Sequence, residues 1–559
     1  MDNSVSKLTF CLVAAGAATS PSLQAQVRPD AGQALESVGP SVPARRAPAD
    51  AALPEQHERP ALSVPDGERI PLRRWRISGN RVFAEAELLA LVQDRVGQDL
   101  TLSELNATVV RITAHYRRHG YLLSRAYLPA QESRDGEVEI AVMEGSLAGV
   151  HIVNTSKVSA AQVSEHVERL NTPGPVQGQA LERSLLLLND LPGVEVRSTL
   201  KPGISVGTSD LDLQVRGTGH VSGSFDADNF GNRYIGALSA GGTLNVNSPF
   251  HRGDLFTLRA STAGSGMTYG RVAWQTPLGG NGLQAGIAWS DVQYELGKDF
   301  ESLDADGSAQ VGTAWIGYPF LRSQTRNASV RLSYDDKRLI DRIEATSTHT
   351  RKSLNVWTLG LSGDRTDTWG GGGVNSFQLD LISGRLELDA LAAALDRGAG
   401  GHETEGHYGK LAYTFSRLQR LSDQLSLYAA LNGQVSNQNL DSSETQSLGG
   451  IYGVRAYPQG EAAGADATIV NIEMRWRLSR LPEMQSLVFV DAGTVRVNHS
   501  PLATDTNNYR DLTGAGIGAQ WMRAERFALK SYVAWRSGPQ PTSDEDRKPR
   551  FWLQLAQYF

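Results

Sequence analysis

Alternation of apolar and polar residues dominates the last third of the chain. In Leu425-Leu427-Ala429-Leu431-Gly433-Val435 one parity is apolar, whereas Ser426-Tyr428-Ala430-Asn432-Gln434 is mostly polar. Val470-Ile472-Met474-Trp476 against Asn471-Glu473-Arg475-Arg477 repeats the pattern. Successive side chains of a strand point to opposite faces, so a period of two predicts strands with one apolar and one polar face. A soluble sandwich also alternates, but it rarely carries aromatic residues near the strand ends of its apolar face. Those residues, and the terminal aromatic Phe559, favour a membrane-spanning β-barrel whose apolar face meets lipid and whose polar face lines a lumen. At roughly ten residues per strand plus connections, Gly217 to Phe559 accommodates about sixteen antiparallel strands.

Residues 71–216 have another rhythm and predict two α+β modules of similar order: a strand, two helices and two strands. In the first, 71–146, a strand through Trp75 to Ser78 precedes the turn Gly79-Asn80. Leu88, Leu91 and Val92 mark one helix, and Leu105, Val109, Ile112 and Tyr116 a second. Thr101 with Glu104 forms the capping box of that second helix, and Gly120 ends it. Strands Leu122 to Leu128 and Val138 to Met143 flank the hairpin signal Asp135-Gly136. The second module, 147–216, opens on Val150–Val153. Its helices run from Ala160 to Leu170 and from Gln179 to Asn189, and strands Val194 to Leu200 and Leu211 to Val215 close it.

Composition narrows the class. Beyond the N-terminus no apolar run among the 559 residues is long enough for a transmembrane helix. A mean hydropathy of −0.31 still suits a barrel, because only alternate residues face lipid. The net charge of −6 and the scattered basic residues give no footprint for nucleic acid. Leu8 to Ala18 after Lys7, followed by small residues up to Ala25, predict a signal peptide over 1–25. The single cysteine, Cys11, lies inside it, so a mature chain has no thiol for a disulfide, a thiolate metal site or cysteine catalysis. Residues 26–70 hold a short helix candidate, with Ala31, Leu35 and Val38 at helical spacing, and a Pro-rich linker from Pro40 to Pro65. A helix that short is marginal without a docking site.

The first module, with ISGN, HGYLLSRAYLPAQ and DGEVEIAVMEG, resembles the POTRA domains of two-partner-secretion outer-membrane transporters (TpsB type), which export haemolysins, filamentous haemagglutinins and related exoproteins. DADNFGN followed by NSPFHRGD is similar to that family's entry into its barrel. The resemblance covers nearly the whole mature chain. It implies two POTRA domains in the periplasm, a sixteen-stranded barrel over 217–559 in the bacterial outer membrane, and no cofactor. The implied partners are a β-rich exoprotein with an N-terminal secretion domain, outer-membrane lipid and the barrel-assembly machinery. Short turns such as Gly279-Gly280-Asn281-Gly282 then face the periplasm, and the long segments Leu386 to Gly406 and Gln438 to Asp466 face outside. The alternative is a barrel-assembly or insertion factor, which shares POTRA domains but usually carries a longer array of them. A passive porin needs neither periplasmic modules nor a plugging loop.

Val454-Arg455-Ala456-Tyr457 in the 438–466 loop resembles the family's VRG(Y/F) signature, and Phe489-Val490-Asp491-Ala492-Gly493 its F-x-D-x-G strand. Alternation alone turns Phe489, Asp491 and Gly493 to the lumen and Val488, Val490 and Ala492 to lipid. The resemblance adds that the loop folds inward and Arg455 pairs with Asp491. Guanidinium suits a wall carboxylate because it offers two parallel hydrogen bonds, and a wet lumen is expected to screen the pair. Ala456 stands where the signature has glycine. If that position requires positive φ or close backbone contact, the loop tip is displaced or strained. Phe551, Leu553, Leu555 and Phe559 share a parity, with Gln557 the polar exception, and resemble a C-terminal assembly signal. His402, Glu403, Glu405 and His407 read as a solvated Gly-rich loop rather than a metal site. Gly514-Ala515-Gly516-Ile517-Gly518 lacks the lysine of a phosphate loop and reads as a strand of small residues. No nucleophile elbow or nucleotide motif occurs, so no enzymatic activity is expected.

Overall fold

The computed structural model describes residues 28–38, 69–132, 135–171 and 174–559. The expected signal peptide, 1–25, and the Pro-rich linker from Pro40 to Pro65 lie outside the described residues.

Sixteen antiparallel strands, from Val221–Asp228 to Arg550–Tyr558, close into one barrel in chain order. Lipid leaves no water for a free strand edge, so closure is obligatory. The last strand pairs with the first from Gln554↔Asp228 to Tyr558↔Ser224. A reciprocal pair continues the seam, with Phe559 N–H on the Gly223 carbonyl at 3.1 Å and Gly223 N–H on the Phe559 carbonyl at 3.0 Å. The alternation read from the sequence has a physical counterpart. Val488, Val490, Phe551, Leu553, Leu555 and Phe559 are exposed on the outer surface, while Phe489, Asp491, Trp552 and Gln554 are buried inside. No helix among the described residues is long and apolar enough to cross a membrane.

The first α/β module orders its strands as Arg74–Ser78, Glu137–Met143 and Arg125–Tyr127, the first pair parallel and the second antiparallel. Helices Glu85–Ala90 and Leu102–Arg118 cover the sheet. Trp75, Ile77, Leu105, Val109, Ile112, Tyr116, Val138 and Ile140 form the core. The Thr101–Glu104 capping box is reciprocal, and Gly120 leaves the helix at φ +89°. The strand expected over Leu122 to Leu128 keeps only three residues, because Leu122 and Ser124 are drawn into turns by the carbonyls of Gly120 and Tyr121.

The second module orders Ser146–Asn154, Thr208–Gly217 and Val194–Pro202, with helices Ala160–Val167 and Gly178–Asn189. The helix expected to reach Leu170 stops at Val167 and continues as a 3-10 turn over Glu168–Asn171. This module sits on the short turns of the barrel. Arg322 makes two 2.7 Å bonds to Asp190, Arg183 donates to the Pro319 carbonyl at 2.6 Å, and Gln324 N–H donates to Glu182 at 2.7 Å. The glycine turn 279–282 allows this approach, since a Cβ on Gly280 would lie 2.1 Å from the Glu165 carbonyl oxygen. The seat fixes the short-turn end of the barrel as the end facing the modules.

Candidate functional site

The connection between strands Leu425–Ser436 and Asp466–Leu478 turns back into the lumen. Val454 N–H donates to the Leu448 carbonyl at 2.7 Å, and Tyr457 N–H to the Val454 carbonyl at 3.0 Å. This tight turn projects Arg455 at the wall. Val454, Ala456 and Tyr457 are all buried, and the Tyr457 hydroxyl donates to the Pro539 carbonyl of the last outer loop at 2.8 Å.

Arg455 uses nearly every donor it has. Its Nε and Nη2 bond Asp491 at 2.9 and 2.7 Å, its backbone N–H adds a third bond to that carboxylate at 3.1 Å, and Nη1 reaches Glu473 at 2.6 Å. The guanidinium also lies 3.6 Å from the Phe489 ring centroid, a cation–π contact. Trp552 Nε1 donates to the Arg455 carbonyl at 2.7 Å. Asn471 fixes the remaining geometry, donating to Asp491 at 2.7 Å and to the Gly453 carbonyl at 2.9 Å.

The expectation of a screened pair is wrong. Arg455 is 3% exposed and Asp491 0%, because the loop, Phe489, Tyr532 and Trp552 exclude water around them. A desolvated charge pair holds only when its remaining lone pairs and protons are satisfied, and here Asn471, Glu473 and Trp552 do that. Ala456 is not strained either. It is absent from the residues at positive φ, and its Cβ fills the space above Gly514, where a Cβ would lie 2.4 Å away. Gly516 likewise admits the Phe489 ring, whose Cζ would be 2.3 Å from an added Cβ. The small-residue strand is the trough in which the loop lies. Gly493 is tight for the same reason, with Leu448 and Val454 methyls 3.1 and 3.3 Å from a Cβ position.

Sequence reasoning missed Glu473, Arg475, Asn471 and Trp552. Arg475 donates to Glu473 at 2.7 Å, extending the ion pair into a row of alternating charges. Three of these residues share the polar parity of one strand, and Trp552 is an aromatic on the polar parity of the last. Those were the available signals. The loop is also held at its base, where buried Glu461 accepts from Thr542 and Ser543 N–H at 3.1 and 2.8 Å and pairs with Arg510.

A second element packs against the inner wall of the barrel. Helix Ala31–Ser37 buries Ala31, Gly32 and Ala34 against Tyr234, Val292, Tyr294, Leu339 and Leu354. Asp30 caps it by accepting Gln33 N–H at 3.1 Å. Ala31 N–H donates to Asp341 at 2.7 Å, and Ser447 N–H of the inward loop donates to Glu36 at 3.2 Å. This is the docking site that so short a helix needs. Of the residues weighed as a metal cluster, His402 goes to Asp505 at 3.0 Å and Glu405 to Arg397. Among the described residues no group of metal-ligating side chains gathers.

A closed barrel with its apolar parity outside, a loop and a helix packed within, and α/β modules on its short-turn end defines a membrane-spanning β-barrel protein. The chain belongs to the haemolysin secretion/activation protein family of ShlB, FhaC and HecB, whose model matches residues 207–521, and a ShlB-type POTRA domain matches 70–145. HuxB of Haemophilus influenzae strain 86-028NP, a heme/hemopexin transporter protein, is 26% identical over 501 residues, covering 88% of this chain and 87% of that protein. The outer membrane transporter CdiB of Dickeya dadantii is 21% identical, covering 84% of each. Among solved structures, CdiB from Escherichia coli shares the fold with a TM-score of 0.71 at 20% identity, covering 91% of this chain and 95% of its own. The protein is an outer-membrane secretion channel of the two-partner type, with its α/β region in the periplasm.

Proposed function

We propose that the two α/β modules, 71–146 and 147–216, are POTRA domains that bind an unfolded partner exoprotein. That partner passes in extended form through the barrel of 217–559 once the inward loop and the N-terminal helix move aside. The protein transports rather than catalyses. The observation that carries the gating part is the dry constellation of Arg455 with Asp491 and Glu473. A switch needs a defined contact in each state, and these bonds define the closed one. Val194–Pro202 lies at one edge of its three-stranded sheet, the position at which an extended chain adds as a further strand. The leader 1–25 takes the chain to the periplasm, and Phe559 is read by the barrel-assembly machinery during insertion.

The test is secretion of the partner by Arg455→Ala and Asp491→Ala variants at equal barrel abundance. Secretion falls sharply in both, while the barrel stays heat-modifiable. Normal secretion by both would return Arg455 to a purely structural role.

A further inference from the structure

Three lysines of the barrel wall are neutralised by carboxylates that do not belong to the wall. Lys337 bonds Glu444 at 2.6 Å, Lys410 bonds the same carboxylate at 3.0 Å, and Lys352 bonds Asp441 at 2.8 Å and Asp30 at 3.3 Å. Asp441 and Glu444 ride on the inward loop, and Asp30 is the cap of the N-terminal helix. The three lysine side chains are 16%, 9% and 14% exposed. The wall brings two carboxylates of its own here, and both are engaged: Asp341 accepts from the Tyr294 hydroxyl at 2.5 Å and from Ala31 N–H, and Asp335, two residues from Lys337 on the same parity, accepts from the Thr313 hydroxyl at 2.6 Å.

The positions form one patch. Leu339, two residues beyond Lys337, lies directly opposite Lys352 across neighbouring strands. Lys410 shares Glu444 with Lys337 and also donates to the Glu444 backbone carbonyl at 2.6 Å. Lys352 and Lys410 stand near the outer ends of strands Thr348–Asp367 and Gly406–Arg420, so the patch belongs to the outer half of the lumen.

Withdrawal of the helix and the loop removes Asp30, Asp441 and Glu444 together. An ammonium held away from water requires an anion or a full set of acceptors. We propose that the open lumen is a lysine-lined track fitted to carboxylate-bearing segments of the exported chain, an inference that rests on the export reading above. An extended chain turns every second side chain to the same face, so acidic residues on one face replace the stopper's carboxylates as the stopper leaves. Opening becomes an exchange of carboxylates at fixed lysines rather than a stripping of charge.

The test uses the full-length protein in planar bilayers under a potassium chloride gradient, without cargo. A variant with Asp30→Asn, Asp441→Asn and Glu444→Gln conducts several-fold more than the parent and prefers chloride. Oligoglutamate blocks it at several-fold lower concentration than oligolysine. Adding Lys337→Gln, Lys352→Gln and Lys410→Gln keeps the high conductance and abolishes both preferences. If the three-acid variant fails to give a heat-modifiable barrel, removal of residues 29–38 combined with Asp441→Asn and Glu444→Gln serves the same measurement. An open pore that prefers potassium, that ignores the lysine changes or that binds both peptides equally overturns the proposal. So does a three-acid variant whose conductance is unchanged. Secretion of the partner by the parent protein is scored separately, so absence of that export with chloride preference intact would count against the export reading and not against the track.

Discussion

Arg455 shows how much one side chain organises. Removing one member of a buried ion pair costs about 3 to 5 kcal/mol, because the other is left charged and unpaired. In Arg455→Ala that penalty falls on the seat of the loop, since Asp491 keeps its bond from Asn471 and the barrel keeps its strands. Exchanging the two, Arg455→Asp with Asp491→Arg, restores part of the secretion if pairing is their main task, although Glu473 then faces a second carboxylate. The seat of the loop can also be disturbed with every charge in place. Gly514→Ala places a methyl where the Ala456 Cβ already sits, so the loop rises from its trough. Single-channel conductance increases while barrel abundance holds, and unchanged conductance would show that the trough does not seat the loop.

At the scale of elements, the closing strand and the first module are separable. Strand Arg550–Tyr558 is joined to the first strand by a short register that the Phe559–Gly223 backbone pair extends, and the Phe559 ring lies 5.5 Å from that of Phe225. Deleting Phe559 removes that extension and the aromatic contact. The amount of heat-modifiable barrel in the outer membrane falls, and equal yield would deny the residue an assembly role. Deleting Trp75 to Gly145 removes a module with its own core and leaves the barrel core untouched. The product is a folded barrel that neither binds the partner's N-terminal domain in a pull-down nor secretes the partner. Full-strength capture by the truncated protein would move recognition elsewhere.

For the whole molecule, the seat of the second module on the barrel turns decides where a captured chain is released. Asp190 and Arg322 are part-exposed, and such a pair contributes up to about 1 kcal/mol. Its worth therefore lies in orientation more than in stability. Asp190→Arg lowers secretion without changing barrel yield, and adding Arg322→Asp recovers it. No recovery in the double variant would mean that the contact does not set the orientation. The two stoppers act at this scale as well. The helix and the loop touch through Glu36 and Ser447, so a force on one is felt by the other.

The barrel was legible in alternation, as was the parity that sends Phe489, Asp491 and Gly493 inward and Val488 and Val490 to lipid, while chain length and the family resemblance put the count at about sixteen strands. Alternation is a local property of a strand, and it survives unchanged in the closed sheet. The same was true of the Thr101–Glu104 cap and of the end of its helix at Gly120, where neighbours in sequence supply the partners. That Arg455 is dry, that it takes Glu473 as a second carboxylate, and that Ala456 fits without strain over Gly514 came from long-range packing. Those facts depend on a loop meeting strands tens of residues away, and sequence spacing carries no such distance. The place of the helix Ala31–Ser37 was likewise invisible, because a seven-residue helix draws its stability from the wall it touches and not from its own residues.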